Sequence, residues 1–378
     1  MKKIAIWILM LLLASAGAAA EEKEKKAEEG KKGKKHKLDK KAKLKVGARI
    51  HTLWTLTDEA EQPENAFGLD MARVKFDWRQ SKLVRGVLQL DVDQLQKSAS
   101  KTAVLRDAYV KVAPMQYLQF RMGQFKRQFS RVELRSRSRL ETVHRGLSND
   151  WIIEELGYGD RDLGFQVEGR VGDNDLVEYA VGVFNGSGKN AAEEDPDGSK
   201  DFVGRVEVKP LDMLSVGANG VYKTFDTSSS SLHHPDSAWA AGGDFRLKMD
   251  GLRLLGEYLR GENFLYSDME HMLEEGMWAD YYHESVATSW STVLMLTYKH
   301  KLSDKYRLAL QPVVKGEYLV PDDSLDDAYV WALTSGVNLF IGKHVRLMFN
   351  SEIVRPAANA PITWMEYDKY MVQMAFDI

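Results

Sequence analysis

From residue 44 onward, apolar and polar residues alternate with a period of two. Leu44, Val46, Ala48, Ile50 and Trp54 fall on one face, and Lys45, Arg49 and His51 on the other. Ala72, Val74, Phe76 and Trp78 alternate with Arg73, Lys75 and Asp77, and Val84, Gly86, Leu88, Leu90 and Val92 with Arg85, Gln89, Asp91 and Asp93. The weave returns at 103–112, 116–125, 163–171, 176–184, 202–209, 214–223, 239–249, 252–258, 290–299, 306–318, 329–341, 345–353 and 370–378. Strict alternation marks a strand with one apolar face, so the spacing predicts about sixteen strands.

The connections carry a second regularity. Short turns at 80–82, 113–115, 172–175, 210–213, 250–251, 301–305 and 342–344 interleave with long loops at 57–67, 95–102, 126–161, 185–200, 226–237, 261–286, 319–328 and 357–363. That sorting is what an up-and-down transmembrane barrel requires when its N terminus lies in the periplasm. A soluble β-sandwich also alternates, but nothing forces its connections to sort by length. The charged face decides further. It carries Arg49, Arg73, Lys75, Arg85, Asp91, Lys111, Arg121, Glu168, Arg205, Glu257, Lys315 and Glu317, among others. Such a face would be costly in a dry core, whereas a barrel of this size encloses a water-filled lumen. The expected fold class is therefore all-β: an antiparallel transmembrane barrel, with aromatics such as Trp54, Trp78, Tyr117, Trp290, Tyr306, Trp331 and Tyr370 near strand ends as interfacial girdles.

The N terminus has a different texture. Met1-Lys2-Lys3, an apolar run at 4–13 and small residues ending at Ala20 have the layout of a secretory signal peptide, too short in its apolar core to span a bilayer. Residues 21–45 hold twelve Lys against six acids and almost nothing apolar. Such a stretch cannot bury enough surface to offset its ordering entropy. The expected organisation is a signal peptide at 1–20, a disordered periplasmic tail at 21–43 and a barrel at 44–378, exported to a bacterial outer membrane. Of the chain's net charge of −3, the leader and the tail are both positive, so residues 46–378 are left at about −11. Cysteine is absent, which excludes disulfides and thiolate chemistry.

Against that acidic body stands one basic stretch. Between Lys126 and Arg145 there are seven Lys or Arg and two Glu. They lie in the longest loop, the third on the outer side. Arginine offers a planar fork for phosphate or carboxylate and keeps its charge, so crowded Arg131, Arg135, Arg137 and Arg139 would concentrate anions in a narrow lumen. The competing reading is that Glu133, Glu141, Glu154 and Glu155 neutralise them and pin the loop. The acidic excess falls mostly in other outer loops, at 58–64, 193–197, 268–284 and 322–327. Signs of catalysis are few. His233-His234 and His271 lack metal-site spacing, so no enzyme, cofactor or nucleic-acid partner is expected. A barrel enzyme and a structural or adhesive barrel remain alternatives, separable by conductance.

At 105–110 (LRDAYV), 120–126 (FRMGQFK) followed by Phe129-Ser130, 160–169 (DRDLGFQVEG), 179–186 (YAVGVFNG) and 204–210 (GRVEVKP), the chain resembles the phosphate-selective porin O and P family. The resemblance covers roughly 68–378. It implies a sixteen-stranded outer-membrane porin, usually a homotrimer set in lipid and lipopolysaccharide. In such a porin the third long loop folds into the pore and forms an anion-binding constriction for transported small anions. The candidate residues of that path are Lys126, Arg127, Arg131, Arg135, Arg137, Arg139 and Arg145 in the loop, with Arg121, Arg73 and Lys75 on adjoining strands. A general, weakly selective porin is the alternative. Two departures stand out: Gln128 where the family often has proline, and a terminal Ile378 where barrels often end in Phe.

Overall fold

The computed structural model describes residues 42–58, 64–94, 104–188, 198–225, 237–264, 287–357 and 366–378. The expected leader, nearly all of the Lys-rich tail, the histidines weighed for a metal site (His233, His234 and His271) and most of the acidic loop clusters lie outside these residues.

The described chain forms seventeen β-segments in one sheet. They are β1 (Lys43–Thr57), β2 (Glu64–Arg79), β3 (Val84–Asp91), β4 (Leu105–Val112), β5 (Gln119–Lys126), β6 (Arg161–Val171), β7 (Val177–Phe184), β8 (Asp201–Leu211) and β9 (Leu214–Thr224). They continue with β10 (Ser237–Met249), β11 (Leu252–Asn263), β12 (Ala287–Tyr298), β13 (His300–Ser303), β14 (Leu308–Val320), β15 (Val330–Ile341), β16 (Val345–Pro356) and β17 (Tyr367–Asp377). Segments β12 and β13 both pair with β14 and are separated only by Lys299. They are one wall strand, which runs through residues where the sequence placed a turn, so the wall has sixteen strands.

Each strand pairs antiparallel with its neighbours in sequence, and β17 returns to β1, with Trp54 opposite Val372 and Arg49 opposite Asp377. Closure removes every free edge, the condition for a sheet to sit in hydrocarbon, where an unpaired backbone group costs several kcal/mol. The amide of Ile378 donates to the carbonyl of Ala48 at 2.9 Å, so the last residue is tied into the seam. Short turns gather at the end that holds both the start of β1 and the end of β17. At Asp250-Gly251 both residues have positive φ, 38° and 87°, the geometry of a two-residue hairpin that Asp-Gly favours.

The alternation resolves as an inside-out barrel. Val46, Val110, Met122, Val181, Leu294, Val314 and Met374 are each more than half exposed on the outer wall. Buried side chains on the inner wall include Arg73, Gln89, Asp91, Gln166, Arg205, Asn219, Asp244, Glu257, Lys315, Asn338, Arg346 and Glu352. Aromatic contacts such as Trp290 with Tyr318 at 5.5 Å and Tyr318 with Tyr329 at 5.1 Å run along one end of the outer face, as a girdle requires. Replacing outward Val181 by Arg should cost about 2–4 kcal/mol near mid-membrane. The inward Lys75→Gln should cost under about 1 kcal/mol. Urea titration of each variant folded into liposomes, read by gel mobility, checks the contrast.

Candidate constriction site

The inward loop begins with a backbone event at Gly123. Its φ is 126°, and a Cβ there would lie 2.2 Å from the carbonyl oxygen of Ala108 on β4, so only glycine fits. Alternation breaks at this point. Met122 faces outward, yet both Gln124 and Phe125 are buried. Gln124 Nε2 donates to the carbonyls of Leu105 and Arg106 at 2.9 and 2.8 Å. The Gly-Gln-Phe motif thus turns the end of β5 into the lumen. The root of the loop is then tied by Arg127, whose Nε donates to the Gly159 carbonyl at 2.9 Å and whose Nη1 meets Asp201 at 2.6 Å.

Apolar contact holds the loop in place. Phe125, Phe129, Leu147, Trp151, Ile152, Ile153, Leu156 and Tyr158 pack against inward Phe184, Val203, Val221, Ala238, Leu259, Leu319, Val330 and Val354. A π-helical turn, Asn149–Glu155, presents Trp151, Ile152 and Ile153 together. Trp151 Nε1 donates to Ser289 Oγ at 3.0 Å, and Tyr158 Oη to the Glu262 carbonyl at 2.7 Å. Burial of such side chains is worth roughly 1.5–3 kcal/mol each, whereas a buried ion pair often breaks even against desolvation. The loop is therefore held mainly by its apolar face, and one arc of the lumen is dry. The sequence reading assigned water to the whole inner wall. The apolar residues at 151–158 were visible, but alternation assigns no partner to a loop.

The charged inner bend docks on β8, β10 and β11. A short helix, α1 (Arg131–Leu134), starts after Ser130, whose φ is 61° and whose Oγ accepts from the Glu133 amide at 3.1 Å. Ser130 Oγ also donates to Glu257 Oε1 at 2.7 Å, and the other Glu257 oxygen accepts from the amides of Arg131 and Val132. A wall carboxylate thus caps the helix of the loop, where free N–H groups favour an anion. Arg131 itself pairs with Asp244 and, at 3.3 Å, with Glu207.

Most of the other candidate cations are also paired. Lys126 and Arg145 share Glu133, the latter at 3.0 Å, and Arg135 meets Glu141 at 2.6 Å. Arg137 reaches Asp70 at 2.6 Å, while Arg73 shares Asp91 with Arg106. Burial lowers the pKa of the Arg135 and Arg145 guanidinium groups, with Glu141 and Glu133 opposing it, from a starting value so high that both keep their charge. Arg139 is exposed, and neither it nor Lys75 has a carboxylate partner among the described residues.

The sheet register reveals a second set of cations. Arg79 lies opposite Arg85, Arg85 opposite Lys111, and Lys111 opposite Arg121, one row across β2 to β5. Like charges directly opposite one another are destabilising. Among the described residues only Asp77 and Glu168 pair with them: Arg85 meets Asp77 at 2.5 Å and Arg121 meets Glu168 at 2.7 Å. Arg121 also stacks its guanidinium 4.9 Å from the Tyr109 ring centroid. Arg85, Lys111 and Arg121 of the row line a lumen chamber of about 420 Å³, with Gln128, Glu168, Arg170, Glu178, Arg205 and Glu207. The sequence named Arg121 as a site residue but not Arg85 or Lys111, because period-two alternation shows a face and not which residues on separate strands stand side by side.

A family model described as phosphate-selective porin O and P matches residues 66–352. The chain belongs to this family. It is an outer-membrane porin, a β-barrel diffusion channel. Its fold is also similar to an anion-selective porin from Comamonas acidovorans, at 8% identity and a TM-score of 0.62, over 89% of this chain and all of that one. The outer membrane channel DcaP of Acinetobacter baumannii is 11% identical, with a TM-score of 0.59 over 92% of this chain and 99% of that one. The Salmonella typhi OmpF, in complex with daunomycin, is 11% identical, with a TM-score of 0.57 over 89% and 97%. No curated protein sequence matches.

Because Glu257 caps α1 and faces Arg131, Glu257→Ala should free the inner bend of the loop while the apolar seam keeps its root in place. Single-channel recordings should show larger conductance and more current noise than wild type. Ser289→Ala, which removes the hydrogen bond from Trp151 and the one that Ser289 Oγ donates to the Pro321 carbonyl, should leave conductance within about 10%, since a typical hydrogen bond contributes about 1 kcal/mol.

Proposed function

We propose that this porin prefers small anions, phosphate among them, and that the cation row Arg79, Arg85, Lys111 and Arg121, with Lys75, carries the preference. The supporting observation is the imbalance: among the described residues Arg79, Arg85, Lys111 and Arg121 share two carboxylates, Asp77 and Glu168, and Lys75 pairs with none. In a narrow aqueous lumen with low-dielectric walls, such a surplus concentrates anions and repels cations. Arg139 adds an unpaired charge from the loop. Arg127, Arg131, Arg135, Arg137, Arg145 and Lys126 contribute less field, since each faces a carboxylate at close range, and they act chiefly to hold the loop. The printed description of the Comamonas porin as anion-selective supports the same direction. Transport is passive diffusion, without catalysis.

In a KCl gradient across a planar bilayer, wild-type protein should give a zero-current potential of the anion-preferring sign. Changing Lys75, Arg85 and Lys111 together to Glu should move it to the cation-preferring sign. An unchanged potential would remove the row from the selectivity mechanism.

The working form is a homotrimer of the mature chain, in contact with outer-membrane lipid and lipopolysaccharide, with the leader removed after Ala20 and the Lys-rich tail on the periplasmic side. Native mass spectrometry of protein purified from outer membranes should give three copies of residues 21–378. A single copy, or one retaining residues 1–20, would correct this.

A further inference from the structure

Where the loop passes from its charged bend to its apolar seam, residues 143–154 ride over β14 to β17 and meet a second charged patch, which the anion preference does not use. A Cβ at Gly146 would overlap Glu317 Oε2 and Lys315 Nζ, so the loop backbone lies directly on that wall pair, itself closed at 2.6 Å. Lys315 Nζ donates to the Arg145 carbonyl at 2.8 Å, and the Val143 amide donates to Asn350 Oδ1 at 2.7 Å. Beside them His144 Nδ1 stands 3.6 Å from Glu352 Oε1, the oxygen that also accepts from Tyr367 Oη at 3.0 Å.

The signs in this patch are unbalanced. The loop brings His144, Asp150 and Glu154, while the wall brings Lys315 and Glu317 of β14, Glu352 of β16 and the phenol of Tyr367 on β17. The neighbouring Arg145 turns its guanidinium away, to Glu133 at 3.0 Å. Asp150 and Glu154 lie on the π-helical turn, where Asn149 Nδ2 donates to Glu154 Oε1 at 3.0 Å. Among the described residues, four carboxyls thus face one lysine and one histidine.

Losing protons here acts in one direction. Histidine is the side chain that ordinarily changes charge between about pH 5 and 8, and only its charged form attracts Glu352. Asp150 is exposed, but within a barrel that withholds bulk water. That enclosure, with the like charges Glu154, Glu317 and Glu352, pushes its carboxyl up to about 7, against the pull of His144. As pH rises, His144 gives up a positive charge and Asp150 takes on a negative one. Both changes set the loop against the wall carboxylates, so close packing is favoured in acid and disfavoured in alkali.

We propose that this patch is a pH-sensitive latch: protonated, it holds the 143–154 segment against the wall, and deprotonated, it repels the segment while the apolar seam keeps the loop inside the barrel. The seam limits the motion, since Trp151, Ile152 and Ile153 of the same helical turn stay packed. The consequence is a loop edge that fluctuates more in alkaline than in acid medium. The latch does not rest on the proposed selectivity, whose cations lie on β2 to β5.

The test is single-channel recording in symmetrical KCl at about pH 5.5 and about pH 8, toward either end of the histidine range. It is paired with hydrogen exchange of residues 143–155, corrected for the intrinsic effect of pH. Wild type should show about twofold or greater open-channel current variance at the higher pH, where Asp150 and His144 have lost their protons, together with faster exchange. Asp150→Asn, uncharged at both, should lose at least half of the difference. His144→Lys, charged at both, should hold the variance at the higher pH near its acid value. Asp304→Asn, on an exposed periplasmic turn, should keep the full difference. Equal variance and exchange at the two pH values in wild type would overturn the latch. So would an undiminished difference in Asp150→Asn, whose exposed side chain makes a folding defect no obstacle. The zero-current potential separately judges the anion preference.

Discussion

Everything in this porin follows from the absence of water around its wall. In hydrocarbon each backbone donor and acceptor must be satisfied by protein, so the sheet closes on itself, β17 against β1, and no edge remains. Closure then dictates the side chains. With one face on lipid, every charge carried by the strands has only the lumen to occupy. The crowding of Arg, Lys, Asp and Glu inside the barrel is the consequence of an apolar outside as much as a device for transport.

That crowding needs order, and the loop between β5 and β6 supplies part of it. Its path is decided by a few backbone and packing facts: Gly123 folds the chain inward, the 147–158 segment seals against the inner faces of β7 to β16, and Glu257 caps the short helix at its bend. The apolar seam and the ion pairs have different roles. Burial of several large side chains supplies the greater part of the attachment. The paired charges, each costly to desolvate, fix where along the wall the bend rests. A loop held this way can carry arginines without their being a filter, and most of its arginines are occupied by carboxylates from the loop itself or the wall.

Surpluses of cations on the wall arise from register. Arg79, Arg85, Lys111 and Arg121 share two carboxylates among the described residues, and Lys248 stands opposite Arg253. Strands whose sequences alternate unremarkably place like charges side by side only once they are paired in one particular alignment.

Strand number, inside-out polarity, the sorting of turns and loops and the position of the long third loop were all legible in the chain, because a period of two and a two-sided environment leave the same trace in every strand. Resemblance in the Gly-Gln-Phe and Asp-Leu-Gly-Phe segments carried the family. What the sequence could not assign was pairing. Whether Arg131 is a free anion ligand or the partner of Asp244, 113 residues away, depends on contacts between residues far apart in the chain. The same holds for Lys111 beside Arg85 and Arg121, and for the apolar 151–158 segment, whose cluster draws on eight different strands beyond β5. Local pattern records which environment each residue needs, and only closure of the barrel decides which neighbours provide it.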